Sequence, residues 1–156
     1  MKCAYWLVLS LAAAGSLAQA PLGYYRQPTL RGDTIVFVSE GDLWRTLVEK
    51  ARSGAVASRL TSHAGSESSP RISPDGATLA FVGEYEGPGE VYTMPVTGGA
   101  PQRLTFDGGA RAAAVGWTGE TPSRIIAATT RFSTLPSVQL TLLNPADLGR
   151  ELVPLA

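Results

Sequence analysis

Short apolar runs separated by turn-forming residues set the pattern of this chain. Thr34-Ile35-Val36-Phe37-Val38, Thr78-Leu79-Ala80-Phe81-Val82 and Arg124-Ile125-Ile126-Ala127-Ala128-Thr129 are each bounded by glycine, proline or polar residues. They are too short for helices and have the length of strands buried on both faces. Glu90-Val91-Tyr92-Thr93-Met94-Pro95-Val96 alternates, with Val91, Thr93 and Pro95 on one face and Tyr92, Met94 and Val96 on the other. Between these runs, Pro74-Asp75-Gly76 and Thr97-Gly98-Gly99 supply a proline with its φ preset and glycines free to take positive φ, which is the chemistry of tight turns. No segment has convincing helical periodicity; Leu43 to Arg52 comes nearest, with Trp44, Leu47 and Val48 at suitable spacing.

The runs repeat. Arg59-Leu60-Thr61 returns 44 residues later as Arg103-Leu104-Thr105, Phe37-Val38 returns as Phe81-Val82, and Arg71-Ile72 falls opposite Val115-Gly116. A period in the forties made of short strands indicates one four-stranded sheet per repeat, the unit of a propeller blade. The second repeat reads as strands over 69–73, 78–82, 90–96 and 101–105. The first reads as Thr29-Leu30, then 34–38, 42–47 and 55–60, and the third as 113–117, 124–129, 138–143 and 151–154. The expected fold is therefore all-β: a β-propeller fragment of about three four-stranded antiparallel blades, at 27–61, 69–105 and 113–156. A ring closes with about four to eight blades, so the chain reads as part of a longer protein.

Met1-Lys2 followed by a mostly apolar run from Cys3 to Ala14 has the length of a secretory signal rather than of a membrane span. Cleavage after Ala18 fits the small residues Ser16 and Ala18, because the alternative cut after Ala20 would place Pro21 directly behind it. This gives a signal peptide at 1–18, a lead-in at 19–26, no span in the mature chain, and export to a periplasmic or extracellular space. Removing residues 1–18 also removes Cys3, the single cysteine. The mature chain then has no disulfide, thiolate metal site or cysteine nucleophile.

Charge and motifs narrow the chemistry. Thirteen basic and 13 acidic residues are scattered along the chain, so no basic stripe tracks a phosphate backbone and nucleic acid is excluded as a partner. His63 is the single histidine; it lies in a polar loop, and no Gly-x-Ser-x-Gly elbow presents a serine to it. Gly98-Gly99 and Gly108-Gly109 lack the Lys-Ser/Thr of a phosphate loop and read as turns. Glu84, Glu86 and Glu90 lack the alternating pattern of a calcium loop and read as a solvated acidic loop. Trp44, Tyr92 and Trp117 read as aromatic packing between blades. No catalytic, cofactor-binding or metal-binding residues are assigned, and no cofactor is expected.

Two stretches carry a family resemblance. Ser69-Pro70-Arg71-Ile72-Ser73-Pro74-Asp75-Gly76, continuing through Met94-Pro95 to Gln102-Arg103-Leu104-Thr105, resembles the WD40-like repeat of TolB-type and peptidase-associated propellers. Pro28 to Val38 followed by Gly41-Asp42-Leu43-Trp44 is similar to the opening of tricorn proteases. The tricorn resemblance implies an N-terminal propeller that gates or guides peptide substrates for a serine peptidase domain. It brings no nucleophile, base or oxyanion-hole residue onto this chain, and it leaves room for homo-oligomers in the full-length form. A TolB-like interaction propeller, and the propeller of a prolyl-oligopeptidase-like enzyme, are the alternatives.

Overall fold

The computed structural model describes residues 23–154 apart from 110, 135 and 136; the expected signal peptide and cleavage site lie outside the described residues. Among the described residues, twelve strands form three four-stranded antiparallel sheets. The first holds β1 (Arg26–Arg31), β2 (Thr34–Ser39), β3 (Asp42–Leu47) and β4 (Ser58–Arg59) in that order. The second holds β5 (Glu67–Ile72), β6 (Thr78–Gly83), β7 (Glu90–Pro95) and β8 (Gln102–Arg103). The third holds β9 (Ala112–Trp117), β10 (Ile125–Thr129), β11 (Gln139–Leu143) and β12 (Arg150–Leu152). Each sheet is an up-and-down meander in sequence order, so each repeat is one blade. The fourth strands are shorter than the sequence suggested, because only two or three residues per strand pair with the third strand.

The alternation of side chains along the second blade sorts them to its two neighbours. Leu79 and Phe81 on β6, with Tyr92 and Met94 on β7, pack toward Val36, Val38 and Leu43 of the first blade. Ala80 and Val91, one residue out of phase, pack with Ala114, Ile125, Ala127 and Leu143 of the third blade. Both faces of β6 and β7 are thus buried, which is why their sequences are almost continuously apolar. Phe81 is fully buried, and burial of such a ring contributes about 1.5–3 kcal/mol.

The turn between β5 and β6 follows its sequence closely. Pro74 and Asp75 occupy the corner, Gly76 takes φ +76°, and the Gly76 amide bonds to the Ser73 carbonyl at 2.9 Å. Asp75 Oδ1 accepts the Ala77 amide at 3.0 Å, and Ser73 Oγ accepts the Thr78 amide at 2.9 Å.

One element departs from the sequence reading. The connection from β3 to β4 contains a short helix, α1 (Val48–Arg52), where no helix was expected. It begins only after β3 has ended, so the apparent helical spacing of Trp44 and Leu47 belongs to a strand. None of its residues is buried, so it adds no helical face to the core.

The repeat is also less uniform than its period. Two residues, 40–41, join β2 to β3, whereas 84–89 join β6 to β7; in return, 48–57 join β3 to β4 but only 96–101 join β7 to β8. The longer loop and the shorter connection cancel. The 44-residue spacing therefore survives at the second and fourth strands while the third strands are displaced by four.

Candidate functional site: the seams between blades

Arg-Leu-Thr, the clearest repeated motif, ties the fourth strand of a blade to its third. Leu60 and Leu104 donate their amides to the Leu43 and Val91 carbonyls, both at 2.8 Å. Thr61 and Thr105 turn back so that Oγ1 accepts the Leu43 amide at 2.9 Å and the Val91 amide at 2.8 Å. The arginines pair with the acid that opens the third strand, Arg59 with Asp42 and Arg103 with Glu90. In the third blade Leu152-Val153-Pro154 takes the place of this motif, and Val153 still donates to the Leu140 carbonyl at 2.9 Å. Gln139 there replaces the acid, so both members of the ion pair are lost together.

The seam between blades two and three is held by directional bonds as well as packing. Trp117 Nε1 donates to the Arg71 carbonyl at 2.9 Å, and Arg71 Nε donates to the Val115 carbonyl at 2.7 Å. Asp107, in the crossing from β8 to β9, is buried; it accepts Arg150 Nη1 at 2.8 Å and Thr129 Oγ1 at 3.0 Å. Glu90 corrects the expected solvated acidic loop. It is buried, and its Oε1 accepts the Asp107 amide at 2.7 Å, the Gly108 amide at 3.1 Å and Arg103 Nη2 at 3.0 Å. Its partners lie up to 18 residues further along the chain, so composition alone could not reveal its burial. Glu84 and Glu86 are exposed as expected, with Glu86 paired to Arg103 Nη1 at 2.7 Å.

On the side where the second-to-third-strand loops meet the blade crossings, this seam opens into a cavity of about 570 Å³. Val82, Pro88 and Val138 give it apolar walls, and Glu84 and Arg111 bring one charge of each sign. The Arg111 backbone is fixed to Thr130 by two hydrogen bonds, at 3.0 and 3.1 Å. Its side chain is exposed, and among the described residues its guanidinium makes no hydrogen bond or ion pair. It has no signature along the chain, because the cavity forms only when two loops and a crossing from different repeats converge.

A second opening, a groove of about 580 Å³, follows the seam between blades one and two. His63, Tyr85, Tyr92 and Arg103 line it. The His63 ring lies 4.3 Å from that of Tyr85, and Tyr85 lies 4.8 Å from Tyr92. His63 Nδ1 accepts the Gly65 amide at 2.9 Å, a loop role as the sequence suggested. Behind this wall Glu67 is 2% exposed and accepts Thr61 Oγ1 at 2.9 Å. Burial pushes the Glu67 carboxyl above the ordinary carboxylate range and raises the Tyr85 hydroxyl as well. Tyr92 packs between blades, stacked on Phe81 at 5.8 Å, and Trp44 and Trp117 are part-buried, donating to the Ser39 and Arg71 carbonyls. Gly98, Gly99, Gly108 and Gly109 all adopt positive φ in turns. No helix among the described residues is long and apolar enough to cross a membrane.

The comparisons with known proteins agree with this architecture. Residues 22–156 match the tricorn protease N-terminal β-propeller domain. Tricorn protease homolog 1 of Streptomyces coelicolor is 34% identical over 116 residues, covering 74% of this chain and 10% of that protein. The chain thus spans about a tenth of that relative. Among solved structures, TolB from Acinetobacter baumannii superposes with a TM-score of 0.66 at 21% identity, over 83% of this chain and 32% of that one. The tricorn protease superposes with a TM-score of 0.65 at 18% identity, over 79% of this chain and 12% of that one. With three four-stranded blades in sequence order and the family match running from residue 22 to residue 156, this chain belongs to the tricorn protease N-terminal β-propeller domain family.

Proposed function

We propose that this chain is the N-terminal propeller portion of an exported tricorn-type serine peptidase, and that it binds and guides peptides while the hydrolytic groups belong to another part of that protein. Export rests on the charged and apolar pattern of residues 1–18. The peptide role rests on family membership and on one observation above the rest: the cavity between blades two and three presents Arg111, whose guanidinium is unpaired among the described residues, against apolar walls. Such a site suits an extended peptide whose terminal carboxylate meets the guanidinium and whose side chains meet Val82, Pro88 and Val138. His63 accepts the Gly65 amide and packs on the Tyr85 ring.

Binding of a fluorescein-labelled hexapeptide with a free C-terminus, compared with its C-terminal amide, tests the proposal by fluorescence anisotropy. The free acid should bind about tenfold more tightly, and Arg111→Ala should erase the difference. Equal affinity for acid and amide, or an unchanged preference in the variant, would count against it. A purely protein-binding propeller of the TolB kind would bind neither peptide.

A further inference from the structure

The groove between blades one and two has a chemistry of its own. Its walls are aromatic, with Tyr85 and Tyr92 in contact and Phe81 behind both, at 6.3 Å from Tyr85 and 5.8 Å from Tyr92. Its surroundings are acidic: Asp42, Glu67, Glu86 and Glu90 stand against two guanidinium groups, Arg59 and Arg103. Those two are already engaged, Arg59 by Asp42 and Arg103 by Glu86, Glu90 and the Thr105 carbonyl.

One of the carboxylates retains an oxygen with nothing to accept among the described residues: Asp42 is 6% exposed, and its Oδ1 is buried without a hydrogen-bond partner. Native structures leave few such atoms unsatisfied. Glu67 is 2% exposed, with the buried Tyr85 hydroxyl standing against its carboxyl. It lies directly behind the groove: Thr61 Oγ1 donates to its Oε2, and Thr61, His63 and Tyr85, all of which interact with it, line the opening.

We propose that this groove binds the cationic side chain of a peptide, an arginine or a lysine, holding its charge against Tyr85 and Tyr92 and toward the carboxyls of Glu67 and Asp42. Aromatic faces attract such cations through their quadrupole, and the surplus of carboxylate supplies the long-range attraction. A volume of about 580 Å³ accommodates the side chain with adjoining backbone. The groove is separate from the Arg111 cavity.

Titrating the isotopically labelled chain with N-acetyl-arginine amide, N-acetyl-lysine amide or N-acetyl-norleucine amide, followed by NMR, tests this. The probes carry no free carboxylate, so they report on the groove and not on the carboxylate site at Arg111. The two basic probes should shift the His63 and Tyr85 ring signals saturably, and norleucine should not; the tighter of the two identifies the preferred cation. Glu67→Gln should weaken basic-probe binding about tenfold while leaving the chain at least as stable, a combination that a merely structural role would not produce. Tyr85→Leu, measured where it folds, should weaken binding further. Equal binding of norleucine and the basic probes, shifts confined to other residues, or an unaffected Glu67→Gln variant would each overturn the proposal.

Discussion

Thr105→Val isolates the role of the repeated threonine. Thr105 is 2% exposed, its Oγ1 accepts the Val91 amide at 2.8 Å, and its hydroxyl donates to Glu90 Oε2. Valine keeps much of the shape and removes both bonds. The Val91 N–H is then buried without an acceptor, and Glu90 Oε2 loses its donor, while Glu90 Oε1 keeps Arg103 and the Asp107 and Gly108 amides. A buried donor left unpaired costs about 1–3 kcal/mol, and a small further loss at the retained carboxylate brings the expected total to about 2–3 kcal/mol. Equilibrium urea unfolding followed by tryptophan fluorescence should show the midpoint falling by about 1–3 M for a slope of about 1–2 kcal/mol per M. Thr97→Val, at an exposed turn position, is the control and should stay within about 0.5 kcal/mol of the parent. If Thr105→Val and Thr97→Val are equally mild, the Arg-Leu-Thr motif is not the clasp described above.

Three further substitutions test other parts of the account. Burial raises the Glu67 carboxyl, so the folded chain holds this proton at pH values where the unfolded chain has released it; the contribution to stability is greatest below the ordinary carboxyl range and falls as pH rises through the raised value. Glu67→Gln should remove that decline and leave the chain at least as stable as the parent at pH 7, and a variant less stable than the parent in a urea series at pH 7 would refute it. Trp117→Phe removes the bond to the Arg71 carbonyl across the second seam; it should cost about 1 kcal/mol and speed hydrogen exchange in β9, whereas unchanged exchange there would refute the seam assignment. Gly76→Ala, at φ +76°, should cost about 1 kcal/mol in thermal unfolding, and no loss would mean that the turn is not built as described.

The second blade was the most legible part of the chain because its strands are buried on both faces and its turns carry proline and glycine at the positions where geometry demands them. Phe81 and Tyr92 declared the core by being apolar in short runs. The matching of Asp42 with Glu90 was hidden, because the longer loop at 84–89 moves the third strand four residues out of the 44-residue spacing. Both β5 and β9 carry a bulge, between Ser68 and Arg71 and between Ala114 and Gly116. The 44-residue spacing set Arg71 opposite Val115 in the sequence, and the fold bonds the two across the seam, Arg71 Nε to the Val115 carbonyl. The burial of Glu90 and Glu67 escaped sequence reading for a related reason: their donors lie on loops and strands distant along the chain, and a carboxylate in a glycine-rich loop looks solvated until those donors are in place. Both seam openings were illegible, since each is built by two repeats together.

Peptide binding at the seam between blades two and three is the central functional claim, and photo-crosslinking tests it most directly. A hexapeptide carrying a benzophenone side chain and a free C-terminus would be irradiated with the chain and the attachment sites mapped by mass spectrometry. The account predicts adducts concentrated at 82–89, 111–112 and 138, competed away by unlabelled peptide and lost in Arg111→Ala. Adducts scattered over the surface, or confined to other blades and insensitive to Arg111, would contradict it.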